Sequence, residues 1–256
     1  MDHTDSLGNA GRYGDGDLQW MTAGKGIVHG EMFPLLNTDA SNPLKLFQIW
    51  LNLPRASKMV PPSFVMHWHE NIPSITSDDG LTTVVVWAGE LHGIRGLPPP
   101  DHSLASNEEF EVAVWLLSMQ PQATYTLPSA SSADVNRAIY FVDGDNVIVA
   151  RKQVSVSVRV DVDSTQPTSL TNSGDSVATL LVLQGRPIKE PVVQHGPFVM
   201  NTQEEIHQAF ADYQATKFGG WPWPEDAMVF PKDKGRFALL NGEEIRPSAD
   251  RSKDEL

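Results

Sequence analysis

The sequence predicts an all-β protein carrying a single helix near its C-terminus. Three observations lead there. Short runs of β-branched and aromatic residues recur along the chain, turn-forming residues interrupt them, and one apolar pattern of helical period stands out after residue 200.

The β-type runs are Leu46 to Leu53, Leu81 to Trp87, Phe110 to Leu117, Ala138 to Val142, Val147 to Ala150, Val154 to Val162 and Val177 to Leu183. Asp143-Gly144-Asp145 reads as a hairpin turn, and Gly80, Gly89, Pro121, Gly174 and Gly185 punctuate the other runs. Short strands at this spacing build sandwiches or small barrels. The segment GLPPPDHSLAS at 96–106 has β-runs on both sides and reads as a domain boundary, dividing the chain into 1–103, 104–220 and 221–256. The helix begins at a capping box of Thr202 with Glu205, presents Ile206, Ala209, Phe210 and Tyr213 at helical spacing, and ends at Gly219-Gly220. Its apolar stripe suits packing on a sheet. Prolines 222, 224 and 231 make the tail from Trp221 read as irregular surface chain.

Composition narrows the function classes. At 256 residues with 40% hydrophobic content, the chain can bury a substantial core. Nineteen basic against 32 acidic residues give a net charge of −13, which repels phosphate backbones and disfavours direct nucleic-acid binding. Cysteine is absent, so disulfides, thiolate metal sites and cysteine nucleophiles are excluded. No apolar run approaches the roughly 20 residues of a membrane-spanning helix, and the opening residues carry no signal-peptide pattern. A cytosolic or nuclear location is therefore expected. The C-terminal Lys253-Asp254-Glu255-Leu256 matches the endoplasmic reticulum retrieval signal and makes the lumen the alternative.

The chemistry concentrates in GDLQWMTAGKGIVHGEM at 16–32. On a strand, His29 and Glu31 point to one face while Gly30 turns away, so the two side chains can grip one metal ion. Imidazole plus carboxylate suits iron, zinc or manganese, but a working site needs three or four protein ligands. The glycines at 24 and 26 lack the lysine and the strand-loop-helix setting of a phosphate loop. Trp20, Trp50 and Trp87 read as core or pocket wall.

Three stretches carry a family resemblance: DSLGNAGRYGDGDLQWMTAGKGIVHGEM at 5–32, LFQIWLNLPRASKMVPP at 46–62, and PVVQHGPFVMNTQEEI at 191–206, with FGGWPWP at 218–224 in support. With these motifs in family order, the chain resembles the pirins, two-barrel members of the cupin group. The resemblance implies two tandem cupin barrels, the N-terminal one incomplete here, with a C-terminal helix. It also implies a single Fe(II) in the N-terminal barrel, held by a His-x-His pair together with His29 and Glu31. In the family that pair precedes the position of Asp5, so the resemblance leads us to expect a chain lacking the N-terminal part of its barrel, with iron bound weakly or not at all. Glu31 carries a second implied role, accepting the proton of a substrate hydroxyl.

A rival within the chain is His67-Trp68-His69, which with His29 and Glu31 would complete a three-histidine, one-carboxylate set. The family carries no ligands in that segment, so these histidines read as an exposed pair beside Glu70. His92 and His102 read as solvated, His195 as structural and His207 as lying on the polar side of the helix. No histidine occurs between 103 and 194, which denies the second barrel an imidazole metal site.

Two functions follow from the resemblance. One is oxidative opening of a flavonol by a quercetin 2,3-dioxygenase, with the activity expected to be impaired in this chain. The other is a metal-linked co-regulator that contacts proteins and not DNA. A monomer is expected in either case.

Overall fold

The computed structural model describes residues 1–248, and the Lys253-Asp254-Glu255-Leu256 signal lies outside the described residues. Two units emerge. The first comprises Met1–Glu70, Pro100–Ser103 and the chain from Glu190 on, and the second comprises Asn71–Pro99 and Leu104–Lys189. The chain passes between units at 70/71, 99/100, 103/104 and 189/190, so two of the crossings fall within the proline-rich segment at 96–106 and each unit is assembled from separated stretches. Strand pairing is the reason. Thr82–Ala88 pairs with Ala113–Met119, so residues 71–99 join the second unit although they precede the predicted boundary at 103.

The second unit carries the predicted β-architecture. A six-stranded sheet runs in the order 158–162, 136–143, 178–185, 113–119, 82–88, 74–76, and a four-stranded sheet in the order 124–127, 168–172, 146–149, 152–155. Alternating burial drives it. In Ala113–Met119 every second residue is buried, placing Ala113, Trp115, Leu117 and Met119 in an interior shared with Val84, Ile139, Phe141, Val147 and Leu180. The turn Asp143-Gly144-Asp145 does not close a hairpin. The strand before it pairs with 158–162 and 178–185, and the strand after it with 152–155 and 168–172, so the turn carries the chain from one sheet to the other.

The first unit is built on shorter strands: β1 (Asp2–Asp5), β2 (Ala10–Arg12), β3 (Leu18–Thr22) and β4 (His29–Met32). β1 sits between β2 and β4, and beyond β2 the tail adds Phe237–Leu240 and then Glu243–Ile245, giving an open five-stranded sheet. The tail is thus not the irregular surface chain its prolines suggested. After Pro231 the apolar run Phe237-Ala238-Leu239-Leu240 pairs with β2 and buries Phe237 and Ala238 completely, covering an edge that would otherwise present unpaired backbone groups. β3 pairs with Ser63–His67. The predicted strand over 46–53 does not form; these residues belong to no ladder, and Leu46, Ile49 and Trp50 are exposed.

The helix α1 (Gln203–Thr216) has the predicted capping box, with the Thr202 hydroxyl accepting from the Glu205 amide and the Glu205 carboxylate accepting from the Thr202 amide. It packs on the hairpin formed by Val193–His195 and Phe198–Met200, through Phe198 and Phe210 with ring centroids 4.8 Å apart. This places it in the first unit and not with the second barrel.

Candidate metal centre

The hairpin from β1 to β2 follows directly from DSLGN. The Asp5 carboxylate accepts from the Leu7 amide (2.9 Å), the Asn9 amide (3.0 Å) and the Asn9 side chain (3.1 Å), and Gly8 takes the positive φ of 82° that a side chain would resist. β4 then pairs antiparallel with β1 in a register that sets His3 across from Glu31 and Asp5 across from His29. Strand alternation does the rest: His3 and Asp5 on β1 share one face with His29 and Glu31 on β4. Gly30 turns to the other face, where an added Cβ would lie 3.3 Å from the Trp221 ring.

His29 and Glu31 therefore lie as their spacing predicts, and the structure adds a donor that sequence reading passed over. His3, His29 and Glu31 each offer one ligand atom, all within 4.8 Å of one another. The signal was present in the sequence, because His3-Thr4-Asp5 alternates like His29-Gly30-Glu31, but only the pairing of β1 with β4 brings the two together.

Burial is graded across the group. His3 is fully buried, Glu31 is partly buried and His29 is exposed, so the cluster has a closed floor and an open side. The His3 ring stacks on Phe64 at 5.1 Å and lies 5.6 Å from the His29 ring. Both of its ring nitrogens lack a hydrogen-bond partner, and the nearest carboxylate oxygen, on Asp5, is 3.6 Å from Nε2. Two unsatisfied nitrogens on a buried imidazole are costly, and a metal ligated on one side satisfies that need. Two imidazoles and a carboxylate without thiolates are a donor set that fits a first-row divalent metal.

The surrounding electrostatics favour the ligating forms. Although its outer edge is exposed, desolvation of the His29 ring by the surrounding protein, and then the nearby His3, hold its pKa below the ordinary value against the opposing pull of Glu31 and Asp5, which favours the neutral imidazole. Burial pushes the Asp5 carboxyl up, but His3 and the Asn9 and Leu7 donors outweigh it and keep Asp5 ionised. The Tyr13 hydroxyl donates to Glu31 Oε1 at 3.4 Å, and burial followed by the Glu31 charge pushes its pKa up, so it stays a donor.

The rival set does not assemble. His69 instead joins Asp17 and Glu70 around Arg236, which donates to Asp17 Oδ1 at 2.7 Å, approaches His69 Nδ1 at 3.1 Å and also bonds Glu70. A guanidinium already occupies the space a cation would need. The glycines at 24 and 26 serve packing: a Cβ on Gly24 would collide with the Val60 carbonyl and one on Gly26 with the Phe218 ring. Among the described residues, both groups of metal-capable donors lie in the first unit. No helix among the described residues is long and apolar enough to cross a membrane.

Comparison with known proteins agrees with this architecture. The family pattern described as Pirin matches residues 1–51, and that of the Pirin C-terminal cupin domain matches 114–219. Pirin from Homo sapiens is 34% identical over 227 residues, covering 86% of this chain and 71% of its own, and Pirin from Mus musculus is 33% identical over 222 residues with the same coverage. A crystal structure of a quercetin 2,3-dioxygenase from Acinetobacter baumannii superposes with a TM-score of 0.69 at 27% identity, covering 86% of this chain and 72% of that one. The fold is an all-β cupin fold with a C-terminal helix, and the chain belongs to the pirin family.

Proposed function

We propose that the first unit holds a single divalent metal, iron by preference, at His29 and Glu31, and that this centre serves the oxidative opening of a flavonol-type small molecule. The carrying observation is that the donor atoms of His29 and Glu31 converge on one face of β4, closed beneath by His3 and open on the His29 side. Similarity to a quercetin 2,3-dioxygenase supports the choice of substrate class. When bound, the metal supplies the site where a flavonol oxygen and dioxygen meet and exchange electrons.

The chain's own residues have separable tasks. His29 binds through a neutral imidazole, and its exposed side is where substrate enters. Glu31 binds and also accepts the proton of the flavonol hydroxyl, since a carboxylate beside the substrate is placed for general-base work. Tyr13 steadies the Glu31 carboxylate through its hydroxyl. Phe64 and the buried His3 close the floor against water.

The test is oxygen uptake by the iron-reconstituted 256-residue protein with quercetin. Uptake that requires iron and disappears in His29→Ala supports the reading; iron retained without uptake removes the enzymatic part. A second reading, a metal-linked module that binds a protein, draws on exposed Phe33, Leu35, Leu36 and Trp50 beyond β4. Metal-dependent capture of a partner without oxygen uptake would favour it.

A further inference from the structure

We infer that His3 is itself a ligand, making His3, His29 and Glu31 a two-histidine, one-carboxylate set, with Asp5 as the residue that positions it. This rests on the reading of His29 and Glu31 as a metal centre and goes beyond it, because the family resemblance assigns no ligand at this position.

Four observations carry the inference. His3 is fully buried, yet neither of its ring nitrogens has a hydrogen-bond partner. A structural histidine sealed in a core normally bonds through at least one of them. Next, His3 lies directly across from Glu31 in the β1–β4 ladder, so the register presents its ring to the same space as the proposed pair. Metal–ligand bonds of about 2.1 Å require donor atoms within about 4.2 Å of each other; a group already within 4.8 Å has only a few tenths of an ångström to close. Finally, Asp5 faces His3 Nε2 at 3.6 Å and is itself fixed by three hydrogen bonds from Leu7 and Asn9. Drawn into hydrogen-bond range, such a carboxylate fixes which nitrogen carries the proton and leaves the other lone pair for the metal.

Three protein donors on one side of a metal leave positions open for substrate and dioxygen, the arrangement that non-haem iron oxygenases use. With His3 counted, the expectation of a metal-poor protein gives way to a donor set sufficient for one ion.

The experiment titrates Zn(II) into the metal-depleted 256-residue protein, reading affinity by calorimetry and histidine ring nitrogens by ¹⁵N NMR. His3→Phe keeps an aromatic ring against Phe64 while removing both donors, and it assigns the His3 signals by their loss. We expect the His3 and His29 ring nitrogens to shift together on Zn(II) binding, and affinity to fall about a hundredfold or more in His3→Phe. In Asp5→Asn the His3 signals should report a changed tautomer, with affinity down about tenfold. If His29 shifts while His3 does not, or if His3→Phe binds Zn(II) as tightly as the parent, the inference fails and the His29–Glu31 centre stands. If Zn(II) moves neither ring, both fail.

Discussion

In the second unit the sealed side chains include Trp115, Leu117, Ile139, Phe141 and Leu180, whereas in the first Asp2, His3 and Asp5 are as deeply buried, Arg12 is nearly so, and Leu35 and Trp50 lie on the surface. The second unit is held by a continuous apolar interior. The first relies on buried polar groups, each of which must find a partner. Arg12 shows how: it forms two 2.7 Å bonds to the Asp2 carboxylate and donates to the carbonyls of Phe230 and Pro231, also at 2.7 Å. Sequence-distant chain is thereby fastened to the strand that carries His3. Gln19 Nε2 and Asn201 Oδ1 also lack partners in this unit, but His3 is fully buried with both of its ring nitrogens unsatisfied. The proposed metal centre lies in the unit that keeps polar groups inside, and the other unit packs hydrocarbon.

Breaking each kind of core should separate the two. Phe141→Ala removes a fully buried ring from the apolar interior and should cost about 3–5 kcal/mol in urea unfolding while leaving metal affinity unchanged. Arg12→Met should cost about 3 kcal/mol by stranding the Asp2 carboxylate, and should raise amide hydrogen exchange over Phe237–Leu240. Adding Asp2→Leu to that variant should recover much of the loss, since an apolar pair of similar volume replaces an ion pair at little cost. The same pairwise rescue has no counterpart at Phe141.

The smallest effect belongs to the Arg236 cluster. Burial pushes the Glu70 carboxyl up, but hydrogen bonding to Arg236 more than offsets it, so its folded pKa lies below the ordinary 4.5. A depressed carboxylate contributes stability that is fully present above that ordinary value and is lost as pH falls through the folded one. Arg236→Gln should therefore cost about 1 kcal/mol or less near pH 7, and the Glu70 contribution to the difference from the parent should shrink as pH falls below 4.5 and vanish once Glu70 is protonated in the folded protein.

Much of this was legible in the sequence. The β-rhythm of the second unit, the capping box at Thr202 and the shared face of His29 and Glu31 are local patterns, and local physics decides them. The run 46–53 forms no strand because an apolar stretch becomes one only by joining a ladder, and no ladder among the described residues includes it. The prolines at 222, 224 and 231 suggest irregular chain, but Phe237–Leu240 lies beyond Pro231 and is free to pair. His3 was overlooked for a related reason. A histidine and an aspartate at the start of the chain acquire meaning only through the register of β1 against β4, which no spacing within one segment reveals.

The most direct test of the metal centre is elemental analysis of the iron-reconstituted 256-residue protein beside His29→Ala and His3→Phe. The account predicts close to one iron per chain in the parent and a marked loss in both variants. A parent that retains no iron, or variants that retain as much as the parent, would contradict it.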